Sequence, residues 1–190
     1  MVGMTTIRAF IAIKLPADVR EYLGAVTADL AAHTQQGSVR WVTSDRLHLT
    51  LRFLGNTAVS QLPALSDALD EVASRQPVFT LQLLDLGAFP NQQRPRVIWV
   101  GLGGETAVLT RLKQQLDQAL LPIGWPPEDR PFRPHLTVGR VKDSRVGTTL
   151  PWQARLAHMA VPVTAVHLIE SELRPDGPRY TTRHTSRFLP

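Results

Sequence analysis

The sequence predicts an α+β protein built from two similar lobes. Predicted helices alternate with short predicted strands along its 190 residues, and 43% of these residues are hydrophobic, which is enough for a sizeable core. The order strand, helix, strand, motif strand recurs along the chain and ends each time in a His-Leu-Thr-aliphatic segment. Such a recurrence indicates a duplicated unit. Because no low-complexity linker separates the copies, we expect residues 1–190 to form a single domain of two lobes.

The elements of the first half follow from hydrophobic periodicity. Residues 8–15 alternate apolar and polar side chains and are followed by Pro16, which predicts a strand and then the start of a helix. Apolar residues recur every three or four positions in residues 18–32, as is typical of an amphipathic helix. The remaining predictions are a strand at 39–42, a turn at 43–46, a motif strand from 48 to about 56 and a helix at 60–73.

The second half is interpreted in the same way. Residues 97–100 form a continuous apolar run, which is typical of a strand buried on both faces. Leucines and valines at helical spacing follow Gly103 and Gly104 and predict the third helix. The predictions are strands at 78–86 and 96–102, a helix at 105–121, loops at 87–95, 122–134 and 143–152, and strands at 159–171 and 180–189 joined by a turn at 175–178.

The most specific feature is the repeated segment, which reads His48-Leu49-Thr50-Leu51 and His135-Leu136-Thr137-Val138. Side chains alternate between the two faces of a strand, so His48, Thr50 and Arg52 should share one face. His135 and Thr137 should share a face in the second copy. The opposite face of the first motif strand, directed to the core, would carry Leu49, Leu51 and Phe53.

A pair of imidazoles is suited to acid–base chemistry at neutral pH. An unperturbed histidine has a pKa of about 6.5, so one ring can accept a proton while the other donates one. The alternative is that each histidine is a polar residue on the solvated face of a strand. Two copies in matching apolar settings argue against that alternative, and the other four histidines do not match the pattern: His33, His158, His167 and His184.

The segments 48–55 and 133–140 resemble the paired motifs of the 2H phosphoesterases. The closest branch is the RNA 2′,3′-cyclic phosphodiesterase, or 2′-5′ RNA ligase-like, family. The resemblance extends over nearly the whole chain through blocks at 8–13, 39–42, 89–90 and 95–99 and around Tyr180. It implies two mostly antiparallel sheets that face each other across a central groove, with the helices on the outside.

The resemblance also implies a reaction and its residues. The reaction is hydrolysis of RNA 2′,3′-cyclic phosphate ends to 2′-phosphate ends without a metal ion or other cofactor. His48 would donate a proton, His135 would accept one, and the hydroxyls of Thr50 and Thr137 would bind phosphate oxygens. Arg140 matches an arginine that holds phosphate in the family.

Arg140 has the wrong parity for a straight strand, because steps of two from His135 lead to Gly139. It would face the site only if the strand bulged, as a glycine permits. Arg52 has the right parity, although it could equally lie at a solvated strand end. Three aromatic residues could stack on a base or pack in the core: Phe10, Trp41 and Tyr180.

Alternative functions remain open at this point. The same site could join RNA ends as a 2′-5′ RNA ligase acting on tRNA half-molecules, or open a small-molecule cyclic phosphodiester such as ADP-ribose 1″,2″-cyclic phosphate. A non-catalytic RNA-binding module would also suit the charge. A metal hydrolase is disfavoured, because the motif histidines lack companion ligands at any usual spacing.

Charge and composition indicate the partner and the compartment. The chain has 21 basic and 16 acidic residues, a formal net charge of +5 that favours a polyanion such as RNA but also suits ordinary solubility. It has no cysteine, and we find no signal peptide or membrane-spanning run. We therefore expect a cytoplasmic monomer that acts on RNA with a 2′,3′-cyclic phosphate end, such as a tRNA fragment, and not at a membrane.

Overall fold

The computed structural model describes residues 5–142, 150–175 and 177–190, and within them it contains nine strands and three α-helices. The helices are α1 (Ala17–Ala32), α2 (Leu62–Ala73) and α3 (Thr106–Leu120). The strands are β1 (Thr6–Lys14), β2 (Val39–Trp41), β3 (His48–Ala58), β4 (Phe79–Phe89), β5 (Val97–Gly104), β6 (His135–Val141), β7 (Ala160–Val163), β8 (Ala165–Glu172) and β9 (Arg179–Arg187).

The strands form two sheets. One has four strands in the order β3-β1-β8-β9, and the other has five in the order β2-β6-β5-β4-β7. Each pairing between these strands is antiparallel. The predicted α+β class with mostly antiparallel sheets is therefore confirmed.

Each sheet contains one motif strand. It pairs with the strand that precedes the helix of the same predicted repeat, β1 for the first motif and β5 for the second. The strand β3 pairs with β1, and β6 pairs with β5 in the same antiparallel manner. The halves also exchange strands, because β4 joins the sheet of β6 whereas β8 and β9 join the sheet of β3. The predicted four-element repeat is wrong in its third element, because residues 121–134 contain no strand that would correspond to β2. The strand β2 itself pairs with β6 and not with β3, the motif strand that follows it in the sequence.

Two further boundaries differ from the sequence predictions. The strand β4 continues to Phe89, through part of the predicted loop 87–95, because its residues pair with β5 there. The predicted strand 159–171 is two strands, since β7 pairs with β4 in one sheet and β8 pairs with β1 in the other. The predicted loop 143–152 and turn 175–178 lie partly outside the described residues.

One hydrophobic core joins both sheets to the three helices. It contains Leu23 of α1, Leu69 of α2 and Leu112 of α3, together with Leu51 and Val138 of the motif strands. A smaller cluster, separate from this core, consists of the buried residues Phe10, Ala12 and Ile169. The half-buried Tyr180 packs against it. The alternation along β1 places the two clusters on opposite faces of the first sheet.

None of the helices in the described ranges is both long and apolar enough to cross a bilayer.

Candidate active site

The two motif histidines are held in the same way. Nδ1 of His48 lies 2.7 Å from the carbonyl oxygen of Arg46, and Nδ1 of His135 lies 2.6 Å from that of Arg133. A carbonyl oxygen only accepts hydrogen bonds, so Nδ1 of each ring carries a hydrogen and donates it. Nε2 of each ring makes no hydrogen bond within the described residues, and it is therefore the nitrogen available for proton transfer.

Aromatic side chains fix the position of each imidazole. The centre of the His48 ring lies 4.9 Å from that of Phe10 and 5.3 Å from that of Tyr180, which it meets edge to face. The His135 ring meets Phe89 edge to face at 5.0 Å. Edge-to-face contacts of this kind are favourable and restrict ring rotation. Both histidines are thus oriented by a backbone carbonyl on one side and by rings on the other.

The three candidate stacking residues have different surroundings. Phe10 is only 3% exposed and packs beneath His48, so it is not accessible to a base. Trp41 packs partly buried against the main core. Tyr180 is half-buried beside both Phe10 and His48. The interpretation as packing residues therefore holds for Phe10 and Trp41, whereas Tyr180 lies at the site with part of its surface exposed.

A bulge in β6 turns Arg140 to the face of His135. Ile98 pairs with Gly139 and Trp99 with Thr137, so one residue, Val138, is inserted relative to β5. Val138 and Gly139 are both buried, and Arg140 after them is exposed. The strand therefore contains the bulge that the Arg140 prediction requires.

The small size of Gly139 is also needed there. A Cβ atom at this position would lie 3.0 Å from the ring of Trp41 and from the side chain of Val39, both on the neighbouring strand β2. A larger residue would push β2 away from the bulge.

The same bulge occurs in β3, and it overturns two predictions. Ile11 pairs with Arg52 and Ala12 with Thr50, so Leu51 is the inserted residue. Arg52 consequently turns inward and is 5% exposed, whereas Phe53 turns outward and is 62% exposed. Arg52 is thus not on the His48 face, and Phe53 is not a core residue.

Sequence reasoning missed Phe53 as a residue of the motif face. A signal was available, since Phe53 follows His48 by the same five positions that separate Arg140 from His135. A bulge of the kind that Arg140 requires, placed in the first copy as well, predicts that Phe53 lies on the face of His48.

Arg52 instead anchors the segment that leads to His135. Its guanidinium lies 3.4 Å from the carboxylate of Asp117 and 3.5 Å from that of Glu128, and it donates to the carbonyl of Pro126. Lys113 joins the cluster at 2.6 Å from Asp117. The cluster therefore ties the first motif strand, α3 and the loop before the second motif together.

Arg140 also acts on groups of the first sheet. Burial lowers the pKa of His48, the hydrogen bond to the Arg46 carbonyl opposes this, and the positive charge of Arg140 lowers the pKa further. Burial raises the pKa of Tyr180, while Arg140 and Arg46 act in the opposite direction. The charge of an arginine on β6 thus acts on side chains of β3 and β9, and the strands β3 and β6 are in contact.

The two threonines occupy matching positions. Thr50 and Thr137 are both half-buried, each two residues after its histidine and before its bulge. Neither side chain makes a hydrogen bond within the described parts of the chain, so both hydroxyls can bind an incoming oxygen atom. In those same parts no group of three or more His, Asp or Glu side chains is placed to hold a metal ion.

The chain matches the family model described as LigT-like phosphoesterase over residues 13–99 and 102–180. It belongs to the LigT-like phosphoesterase family. Two relatives named RNA 2′,3′-cyclic phosphodiesterase illustrate the similarity. The Archaeoglobus fulgidus protein is 33% identical over 91% of this chain and 96% of its own length. The Escherichia coli protein is 36% identical over 76% of each chain.

Two solved structures share the fold. A Thermus thermophilus protein superposes with a TM-score of 0.81 at 29% identity and covers 96% of this chain and 98% of its own. Escherichia coli LigT in complex with 3′-AMP also gives a TM-score of 0.81, at 32% identity, and covers 98% of this chain and all of its own.

Proposed function

We propose that this LigT-like phosphoesterase hydrolyses RNA 2′,3′-cyclic phosphate ends to 2′-phosphate ends, with His48 and His135 as a metal-independent acid–base pair. The observation that carries the proposal is the matched orientation of the two rings. Each Nδ1–H is donated to a backbone carbonyl two residues earlier, which leaves both Nε2 atoms for proton transfer.

The proposed reaction needs both rings in opposite protonation states. Neutral His135 takes a proton through Nε2 from the attacking water as the new bond from water oxygen to phosphorus forms. The bond from phosphorus to the ribose 3′ oxygen breaks, and protonated His48 gives its Nε2 proton to that oxygen. The products are a 2′-phosphate and a free 3′ hydroxyl, and a proton transfer between His135 and His48 through solvent resets the site.

The environment of His48 has two opposing effects on its role as proton donor. Burial and the charge of Arg140 lower the pKa of His48 in the free protein, which favours the neutral ring. An anionic phosphate bound beside the ring would favour the protonated form instead. Substrate would therefore promote the protonation state that the reaction requires.

Thr50, Thr137 and Arg140 would bind the phosphate oxygens. The hydroxyls of Thr50 and Thr137 are short neutral donors on the histidine faces, and Arg140 adds charge-assisted hydrogen bonds. These donors would stabilise the negative charge that increases on the phosphate oxygens as water attacks. The names of the curated relatives and the 3′-AMP complex of Escherichia coli LigT support a nucleotide phosphate as the ligand.

The direct test is hydrolysis of a short RNA that ends in a 2′,3′-cyclic phosphate, in the presence of EDTA. We expect full activity and, by phosphorus NMR, a 2′-phosphate product, because the proposed donor protonates the 3′ oxygen and no metal takes part. A 3′-phosphate product, or loss of activity in EDTA that Mg²⁺ or Zn²⁺ restores, would reject the proposal. Joining of the cyclic end to an added 5′-hydroxyl RNA would instead identify a ligase.

Replacement of Arg140 with methionine tests its action on His48. We expect the pKa of His48 to rise, because the guanidinium that disfavours the protonated ring is removed. We also expect kcat/KM to fall by roughly tenfold to a hundredfold, since a charge-assisted contact to phosphate is lost. NMR titration of the imidazole resonances measures the first effect and steady-state kinetics the second.

Arg8→Met is the control for this substitution. Arg8 is exposed on β1, six residues before Lys14, which is the residue that pairs with His48. Its charge is not among those that shift the pKa of His48. An unchanged or lowered pKa of His48 in Arg140→Met would contradict the assigned position of Arg140.

A further inference from the structure

Beside His48 lies a cavity of about 240 Å³ that the proposed proton transfers do not use. Its cations come from three elements: Lys14 ends β1, Arg20 lies in the second turn of α1, and Arg46 precedes β3. Its other polar lining residues include Asp45, Thr182 and Tyr180, and His48 itself forms part of the wall. The cavity is therefore continuous with the candidate active site.

The basic side chains of this cavity have no carboxylate partner within the described ranges. Nε of Arg20 is buried there without any hydrogen-bond partner. Nε of Arg52 is likewise without a partner, but the terminal nitrogen of Arg52 and the ammonium of Lys113 both contact Asp117. A buried donor without a partner is costly, and a guanidinium binds anions with planar, paired hydrogen bonds. Arg20 differs from Arg52 in having no carboxylate partner among the described residues, so an anion in the cavity would supply the missing pairing.

The charges around the cavity agree with an anionic ligand. Burial, together with the charges of Lys14 and Arg187, lowers the pKa of His167 to about 4. Asp45 is the one carboxylate among the described lining residues, and its side chain is exposed. Three cations therefore outweigh a single carboxylate, which leaves the cavity positive.

We propose that this cavity binds a second phosphate of the substrate, the one attached to the 5′ oxygen of the nucleoside that carries the cyclic phosphate. The inference rests on the proposed function, which places the cyclic phosphate at His48 and His135. Since His48 also lines the cavity, an anion bound by Arg20 and Lys14 would lie in the space next to the proposed site of the cyclic phosphate. The phosphate on the 5′ oxygen of the same nucleoside is the next anionic group along an RNA strand.

A second cavity, of about 230 Å³, extends the same basic surface. It shares Arg46, Asp45 and Tyr180 with the first cavity and adds Arg174 and Arg179. Further phosphates of an RNA strand would therefore meet positive charge beyond the first cavity. This continuity favours an oligonucleotide over a free anion as the ligand.

The test compares adenosine 2′,3′-cyclic phosphate with the same nucleotide carrying a 5′-phosphate. We expect the wild-type protein to prefer the 5′-phosphorylated substrate by at least about tenfold in kcat/KM, mainly through KM, because charge-assisted contacts are gained. Arg20→Gln and Lys14→Gln should each reduce this ratio toward one. Lys14 is exposed, so its replacement tests the proposal even if Arg20→Gln does not fold.

Arg111→Gln is the matched control, because Arg111 is an exposed arginine on α3 that does not line the cavity. It should keep both the activity and the wild-type ratio. Equal kcat/KM values for the two substrates in the wild-type protein, or an unchanged ratio in both cavity variants, would overturn the second phosphate site.

Binding measurements separate this inference from the proposed reaction. If neither these nucleotides nor the short RNA of the direct test is hydrolysed, the proposed function fails, and calorimetry with adenosine 2′,5′-bisphosphate and adenosine 2′-phosphate still tests the cavity. Tighter binding of the bisphosphate, lost in Lys14→Gln, would support the site, and equal affinities would reject it. The preference should also weaken as salt is raised, because its source is charge.

Discussion

Replacement of either motif histidine with alanine is expected to lower kcat/KM by roughly a hundredfold to ten-thousandfold. His48 and His135 would act in the same step, one giving and one taking a proton, so removal of the first already disables the second. The double variant should therefore be far less impaired than the product of the two single effects. Steady-state kinetics on a cyclic nucleotide, with the four proteins assayed together, measures this non-additivity.

His33→Ala is a matched control for this cycle. Nδ1 of His33 also lies 2.9 Å from a backbone carbonyl, that of Asp29, but the residue is exposed at the end of α1. Its replacement should leave activity unchanged. Multiplicative losses in the double variant, or recovery of activity with a divalent metal ion, would reject the two-histidine mechanism and leave the family membership intact.

The pH dependence of kcat/KM should be bell-shaped in the wild-type protein, because one ring must be protonated while the other is neutral. Its two apparent pKa values belong to the coupled pair and not to one residue each. The shape is the same whichever ring is the donor, so the donor is identified with substrate analogues whose leaving group needs no proton.

Local periodicity was sufficient to predict the helices. The predicted helices 18–32, 60–73 and 105–121 agree with α1, α2 and α3 to within two residues at each end. The side chains from His48 to Thr50 and from His135 to Thr137 also have the predicted alternation. These features depend on contacts a few residues apart, which a single sequence reveals directly.

The bulges could not be predicted in the same way, because they depend on the pairing of distant strands. Leu51 and Val138 are inserted residues only relative to β1 and β5, and the inversion of the pattern at Arg52 and Phe53 follows from that pairing. The exchange of β4 and β8 between the sheets is equally non-local. The sequence therefore predicted the helices and the side-chain alternation at the two motifs more accurately than which strands are neighbours.

The buried charges behind the first motif strand should contribute strongly to stability. Asp117→Asn is expected to lower the free energy of unfolding by about 3 kcal/mol, because it removes a carboxylate shared by two buried cations. The side chains of Arg52 and Lys113 are each 5% exposed, and that of Asp117 is 17% exposed. Urea denaturation of the two proteins at neutral pH measures the difference.

Glu71→Gln gives the comparison at the surface. Glu71 and Arg75 form an ion pair with the same four-residue helical spacing as Lys113 and Asp117, but both side chains are exposed. Its loss should cost less than about 0.5 kcal/mol, since water screens exposed pairs. Similar losses in the two variants would show that burial does not strengthen the Asp117 cluster.

Glu128 sets a limit to the loss in Asp117→Asn, because it also lies 3.5 Å from both Arg52 and Lys113. It is 42% exposed, so it can partly replace Asp117 without a large desolvation cost. Glu128→Gln alone should therefore be mild, and the double variant should lose more stability than the sum of the single losses, because only then do both cations lack a carboxylate. Additive losses would mean that the two carboxylates act independently.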